Sequence, residues 1–514
     1  MTQTETNLDA TDTGAQRTSA TLDPIDVLNR DWRMLIGGEL VHAVSGASLD
    51  AINPATRTIL AKFPSAGSED VDAAVEAAAA AGREWGQLAA SERAQYVRKL
   101  AAAIEDIGDE FALLDTLDNG SPIRVMRGDF RLAVEQMRYF ADMAPMLRGE
   151  TIPTAESNSI DFTTRSPFGV VARIVPFNHP LMFAASKLAA PLVAGNTVVL
   201  KPSQHTSLSA LRLGELCAQV LPPGVVNVIT GRGSTIGDAL VSHPLVRRIG
   251  FTGSVPVGQR IQEVAATCDV KVVSLELGGK NPIIVYPDAD HAAAVQGVVR
   301  GMNFTWQGQS CGSTSRLYVH RSIYDRFVSD LVEAMNELAI GDPLDEATDV
   351  GPVVSADQYQ SVIGFIERAI EHPATTLLTG GLPESGLGGD GFFIRPTLFA
   401  SEHDDNELSR EEVFGPVLVV APFDSEDEVI DRANALPLGL TASVWTSDLG
   451  RAMRATRDIE TGYVWVNWSS SHIPGTPFGG VKNSGIGREE GIEELHSYSQ
   501  LRNVYIRFDE QKVP

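Results

Sequence analysis

Hydrophobic periodicity begins only after a polar opening. The first twenty residues, MTQTETNLDATDTGAQRTSA, hold neither a basic start nor an apolar run, so residues 1–27 are expected to be a disordered tail rather than a signal peptide. From Ser68, read as an N-cap, DVDAAVEAAAAAGREW has helical spacing. A longer helix is predicted from Ser91, where Val97, Leu100, Ala101, Ile104, Phe111 and Leu114 recur three and four residues apart until Asn119-Gly120 ends it. The period then changes to β-branched runs, VVARIV, NTVVL and VVNVI, separated by helical stretches such as SLSALRLGELCAQV. That alternation predicts a parallel sheet with covering helices. A second set follows Gly279, with strands at PIIVY and RLYVH and helices near DRFVSDLVEAMNELA and QYQSVIGFIERAI. The expectation is two doubly wound α/β domains, one built from residues 28–149 and 166–279, the other from 280–488.

Two pieces fall outside this scheme. Residues 150–165 alternate like an exposed hairpin, and SQLRNVYIRF is a late strand with no partner nearby in sequence. Residues 150–165 and 489–514 are therefore set apart as a small β element. An unpaired apolar edge is an aggregation hazard in a monomer, so a dimer or tetramer is expected.

Composition narrows the function classes. A chain of 514 residues is too long for one core. The formal net charge of -25, without any Lys/Arg-rich run, argues against nucleic acid. No stretch approaches about 18 uninterrupted apolar residues, which argues against a membrane-spanning helix. Cys217, Cys268 and Cys311 are too scattered for a disulfide framework or a C-x-x-C metal site, and they suit a reducing cytoplasm.

Chemistry concentrates around Cys311, in NFTWQGQSCGSTSRLYV. Gly308 and Gly312 let backbone come close to a substrate, and Ser310, Ser313 and Thr314 surround the sulfur with hydroxyls, whereas a structural cysteine usually keeps apolar company. Taken alone, it reads more readily as a small core residue. Glu276, in SLELGGKNP, ends an apolar strand and is a candidate general base. Asn178, in RIVPFNHP, can donate to a developing oxyanion, though in isolation it is a turn residue. GNTVVLKPS and RIGFTGSVPVG each run from strand into loop and helix, the arrangement at which α/β proteins bind nucleotides.

These runs, with LIGGEL, INPATR, GDPLDEATDVGP, EEVFGPV, PLGLTASVWT and PFGGVKNSGIGREEG, resemble the aldehyde dehydrogenase superfamily from about Trp32 to about Arg507. The resemblance implies a Rossmann-like cofactor domain, a catalytic domain and a small oligomerisation sheet. It implies NAD(P)-dependent oxidation of an aldehyde to an acid. Cys311 would attack the carbonyl, Asn178 and the Cys311 N–H would hold the oxyanion, and water activated by Glu276 would hydrolyse the thioester.

No G-x-G-x-x-G follows the first strand, a departure the family shares. By resemblance, Lys201 reaches the adenosine ribose, Gly233 and Gly237 line the adenine cleft, and Phe251-Thr252-Gly253-Ser254 leads to a helix facing the pyrophosphate. Glu412 holds the nicotinamide ribose and Phe414 the nicotinamide ring, with Ile174, Pro176, Phe177, Gln204, Val257 and Leu277 completing the cofactor set. Gln204 replaces a glutamate common in NAD-preferring relatives, so NAD is expected to be preferred and NADP tolerated. The substrate funnel maps to His179, Phe183, Ser186, Trp306, Ser310, Gly312, Trp468, His472 and Phe478, a mixture suited to an aromatic or ring-containing aldehyde with a polar substituent. The alternatives are a CoA-acylating semialdehyde dehydrogenase and a non-catalytic binding or structural protein on the same fold.

Overall fold

The computed structural model describes residues 22–384 and 386–508. The expected tail lies outside it as far as residue 21. Its last residues do not fit the expectation: Pro24–Leu28 is a helix, with Asp23 accepting from the Ile25 N–H at 2.8 Å and Val27 buried.

Five parallel strands form the centre of an eight-stranded sheet, in the order Val226–Val228, Thr197–Lys201, Val170–Ile174, Val246–Thr252 and Val272–Glu276. Thr197–Lys201 is buried along its whole length, as a strand covered on both faces should be. A second sheet of seven strands has a parallel body, Thr397–Ser401, Val417–Phe423, Arg316–His320, Pro282–Val285, Thr441–Trp445 and Tyr463–Val466, with Thr375–Thr379 antiparallel at one edge. The fold is the α/β architecture read from the strand-helix alternation.

Two local expectations change. The long helix from Ser91 is two, Ala90–Asp106 and Gly108–Asn119, broken where Gly108 packs so tightly on Phe130 that a Cβ would lie 2.4 Å from the ring. The apolar period continues across the break, which hides it. Ser68 is the first residue of its helix rather than the cap; Gly67 holds that place and its N–H donates to Asp70 at 2.8 Å. The late strand, with no hairpin partner nearby in sequence, pairs with the remote segment grouped with it: Ser499–Arg507 runs antiparallel along its length with Ser159–Pro167, and Thr151–Ile152 adds a third strand.

The chain also crosses back. Gly485–Ile486, expected within the second unit, pairs antiparallel with Val272–Glu276 and closes the edge of the first sheet. Beyond it, Glu489 is buried between two cations: Arg173 Nη1 reaches Oε1 at 2.9 Å and Lys187 Nζ reaches Oε2 at 2.9 Å. Arg173 also donates to the Tyr498 hydroxyl at 2.8 Å. Burial alone would raise the Glu489 carboxyl, but Lys187 and Arg173 outweigh it and hold it down at about 2.

Glu489→Ala removes the nearest counter-charge of two buried cations, leaving Lys187 only Glu494 at 3.8 Å, and should cost roughly 3–5 kcal/mol, read as a lowered urea midpoint. Because the folded-state value lies below that of the unfolded chain, this contribution is complete above the ordinary glutamate range and lost as pH falls through about 2. The acid limb of wild-type stability should therefore flatten in the alanine variant.

Candidate active site

Two cavities meet at the candidate nucleophile. One of about 890 Å³ runs between the sheet ends of the first unit and the loop at 412–414, and one of about 410 Å³ opens on the other side. Phe183, Thr252, Glu276 and Cys311 line both. A group bound in one cavity would therefore face a group bound in the other across the sulfur.

Cys311 sits in the loop between the short 3-10 turn Phe304–Trp306 and the strand Arg316–His320. Asn281 Nδ2 fixes that loop, donating to the Cys311 carbonyl at 2.7 Å and the Ser313 carbonyl at 2.9 Å. Burial pushes the thiol up to about 12, and the nearby Glu412, Glu276 and Glu490 add to the shift. Asn178 is buried with its side-chain oxygen unpartnered, on the loop between Val170–Ile174 and the helix Pro180–Val193. Asn119 Nδ2 holds this loop by donating to the Phe177 carbonyl at 2.7 Å. The Ser121 hydroxyl bonds Asn119 and lies 3.3 Å from Gln307 Oε1, so one buried polar chain links the Asn178 loop to the Cys311 loop.

Glu276 is the last residue of its strand, 3% exposed, and neither carboxyl oxygen has a protein partner. Burial, reinforced by the charge of Glu489, raises its carboxyl well above the ordinary range. A carboxylate so placed binds protons readily, which is what a general base for water requires.

In the larger cavity the structure brings together Ile174, Pro176, Phe177, Lys201, Gln204, Gly233 and Gly237 with Phe251, Thr252, Gly253, Ser254, Val257, Glu412 and Phe414. Leu277 is not among them; its side chain packs behind, against Gly258. The helices Gly233–Ser242 and Val255–Cys268 both begin at this cavity. A Cβ on Gly233 or Gly237 would meet nothing within 4 Å. Burial lowers Lys201 to about 8, and raises Glu412 to about 7 even though Glu412 accepts from the Gly279 N–H at 3.1 Å. Phe414 has φ +51°, a conformation that costs on the order of 1–3 kcal/mol, and Gln358 pins it by donating to its carbonyl at 2.8 Å.

The smaller cavity gathers His179, Phe183, Trp306, Ser310, His472 and Phe478. Three expected members lie elsewhere. The Ser186 hydroxyl is buried and donates back to the Met182 carbonyl at 2.6 Å; Trp468 lies outside under the Arg300 guanidinium, 4.1 Å from its ring; and Gly312 does not reach the wall. Asp129 and Glu490, which sequence reasoning missed, do line it. Glu490 pairs with His472 at 3.1 Å, and although burial opposes the charged imidazole, that carboxylate raises its pKa above the ordinary value. Asp129 faces His179 Nδ1 at 2.8 Å.

The model of the Aldehyde dehydrogenase family matches residues 41–504. The chain is 42% identical over 476 residues to aldehyde dehydrogenase tropH of Talaromyces stipitatus, covering 91% of this chain and 92% of the relative. It is 42% identical over 500 residues to phenylacetaldehyde dehydrogenase of Pseudomonas fluorescens, covering 95% and 99%. Among solved structures it resembles betaine aldehyde dehydrogenase from Staphylococcus aureus in complex with NAD+, with TM-score 0.92 and 33% identity over 95% of this chain and 98% of that one.

The raised thiol gives a direct test. Iodoacetamide modification of Cys311, followed by mass spectrometry, should accelerate with pH well beyond 9, toward the value of about 12. Glu412→Gln removes the neighbouring charge that acts most strongly on the sulfur and should shift that profile to lower pH. An unchanged profile would show that Glu412 does not act on the sulfur.

Proposed function

The chain belongs to the aldehyde dehydrogenase family, and from that premise we propose that it oxidises an aromatic or ring-containing aldehyde to the acid through a thiohemiacetal and a thioester on Cys311. The observation that carries the proposal is the position of Cys311 and Glu276 at the junction of the two cavities. The larger cavity fits a nicotinamide dinucleotide: Gly233 and Gly237 leave room for a flat base, helix N-termini favour a pyrophosphate, and Lys201 and Glu412 offer a donor and an acceptor for ribose hydroxyls. When bound there, NAD supplies the hydride acceptor.

The remaining chemistry falls to the chain's own residues. Cys311 adds to the carbonyl carbon, and the oxyanion is held by the Asn178 amide and the Cys311 N–H. Glu276 then takes a proton from the water that attacks the thioester, releasing the acid and the thiol. A buried base beside the sulfur favours hydrolysis over transfer to coenzyme A. Phe183, Trp306 and Phe478 supply aromatic walls for a ring, in keeping with a relative named for phenylacetaldehyde. The exposed apolar side chains of Ser499–Arg507, Leu501, Tyr505 and Ile506, support assembly through that sheet into a dimer or tetramer. The free thiols suit a reducing cytoplasm. No helix among the described residues is long and apolar enough to cross a membrane.

Cys311→Ser should bind NAD yet lose essentially all turnover, because an alcohol is a far poorer nucleophile than a thiolate. Glu276→Gln should still release a burst of reduced nicotinamide in stopped flow, with steady-state turnover falling about 10²- to 10⁴-fold. Unchanged turnover would place water activation elsewhere.

Gln204 lines the larger cavity and carries no charge to repel a 2′-phosphate, while no arginine within residues 201–208 clamps one. kcat/KM should favour NAD over NADP by about ten- to thirtyfold, a difference of about 1–2 kcal/mol. Preference for NADP, or complete silence with it, would contradict this role for Gln204.

A further inference from the structure

The cationic side chains at the smaller cavity, and the acids that hold them, are already paired with one another. Arg124 pairs with Asp349, His472 with Glu490, and Glu489 with Arg173 and Lys187. An anionic substituent entering the cavity would find no uncommitted cation among the described residues.

His179 is different. Asp129 Oδ2 accepts from Trp306 Nε1 at 3.4 Å and faces His179 Nδ1 at 2.8 Å. An indole N–H only donates, so that carboxylate oxygen acts as acceptor and the imidazole proton belongs on Nδ1. In the uncharged ring Nε2 then presents a lone pair, and no group among the described residues hydrogen-bonds to it. Phe183 meets the ring edge-on at 5.7 Å and Trp306 tilts against it at 5.3 Å, so its direction is set on both sides. Its side chain is 13% exposed, on the cavity wall.

We infer that His179, oriented by Asp129, accepts a hydrogen bond from a hydroxyl on the aldehyde's ring, so that the cavity selects hydroxyaryl aldehydes over their unsubstituted and O-methylated counterparts. The inference rests on the aromatic-aldehyde reading above and adds the group that reads the ring. His179 is a specificity residue in this scheme and Asp129 a positioning residue. A buried acceptor left unpaired by the wrong substrate supplies the discrimination.

The test compares kcat/KM for phenylacetaldehyde, its ring-hydroxylated isomers and their methyl ethers, with wild type, His179→Phe and Asp129→Asn. In wild type one hydroxyl isomer should exceed both its ether and the unsubstituted aldehyde at least about tenfold, the size of one well-placed hydrogen bond. His179→Phe should bring both ratios to about one, and Asp129→Asn should narrow them. In parallel, unreactive hydroxyphenylacetamide isomers and phenylacetamide are compared for protection of wild-type Cys311 against iodoacetamide. The best hydroxylated amide should protect at about tenfold lower concentration.

A methyl ether used as well as the phenol, or a preference that survives in His179→Phe, overturns the inference while leaving aromatic aldehyde oxidation standing. Failure of wild type to oxidise any of these aldehydes overturns the aromatic reading. The protection assay then judges His179 separately, and equal protection by the two kinds of amide overturns its role.

Discussion

The buried Glu489 carboxylate is the constraint on which the geometry of the site depends. Arg173 lies on a central strand whose end leads to Phe177 and Asn178, and Lys187 lies on the helix that begins just after His179. The segment that carries Glu489 also carries Phe478, Gly479 and Glu490. Gly479 passes so near Glu276 that a Cβ there would stand 2.8 Å from the carboxyl. One ion cluster therefore sets the Asn178 loop, Glu276 and one wall of the smaller cavity relative to one another. Burial makes the arrangement stiff, because a displaced partner would leave a charge with neither water nor counter-ion.

The same burial sets the electrostatics around the sulfur. Glu276 and Glu412 are both raised, and both raise Cys311 in turn. The thiol is thus held in its protonated form by burial first, and by the surrounding carboxylates in addition. Neutralising either acid, or bringing positive charge into the larger cavity, moves the thiol back down.

The sequence disclosed the parts of the candidate site that stand at strand ends and glycine-flanked loops. Cys311, Glu276 and Asn178 all occupy such places, and the strand-helix alternation carried the two sheets. Asp129 was hidden because it lies within Ile123–Asp142, where a lone carboxylate between apolar residues reads as part of a solvated face until tertiary packing buries it. Asn119, Gln307 and Asn281 look like ordinary turn residues; their roles come from partners remote in sequence. Ser186 went astray for a related reason. Every residue of Pro180–Val193 is buried, so no amphipathic stripe tells which side faces the cavity. Gly485–Ile486 is only two residues long and shows no strand pattern.

That short returning strand bears on how the polypeptide acquires its shape during synthesis. The first sheet lacks its closing edge until residues 485–486 emerge, and Arg173 waits for a counter-ion 316 residues further along. At ribosomal speeds of about 5–20 residues per second, that gap lasts roughly 15–60 s. For that interval the nascent first unit holds an open β edge and a cation without its Glu489 partner, and it becomes a finished domain only once residues 485–489 have been made.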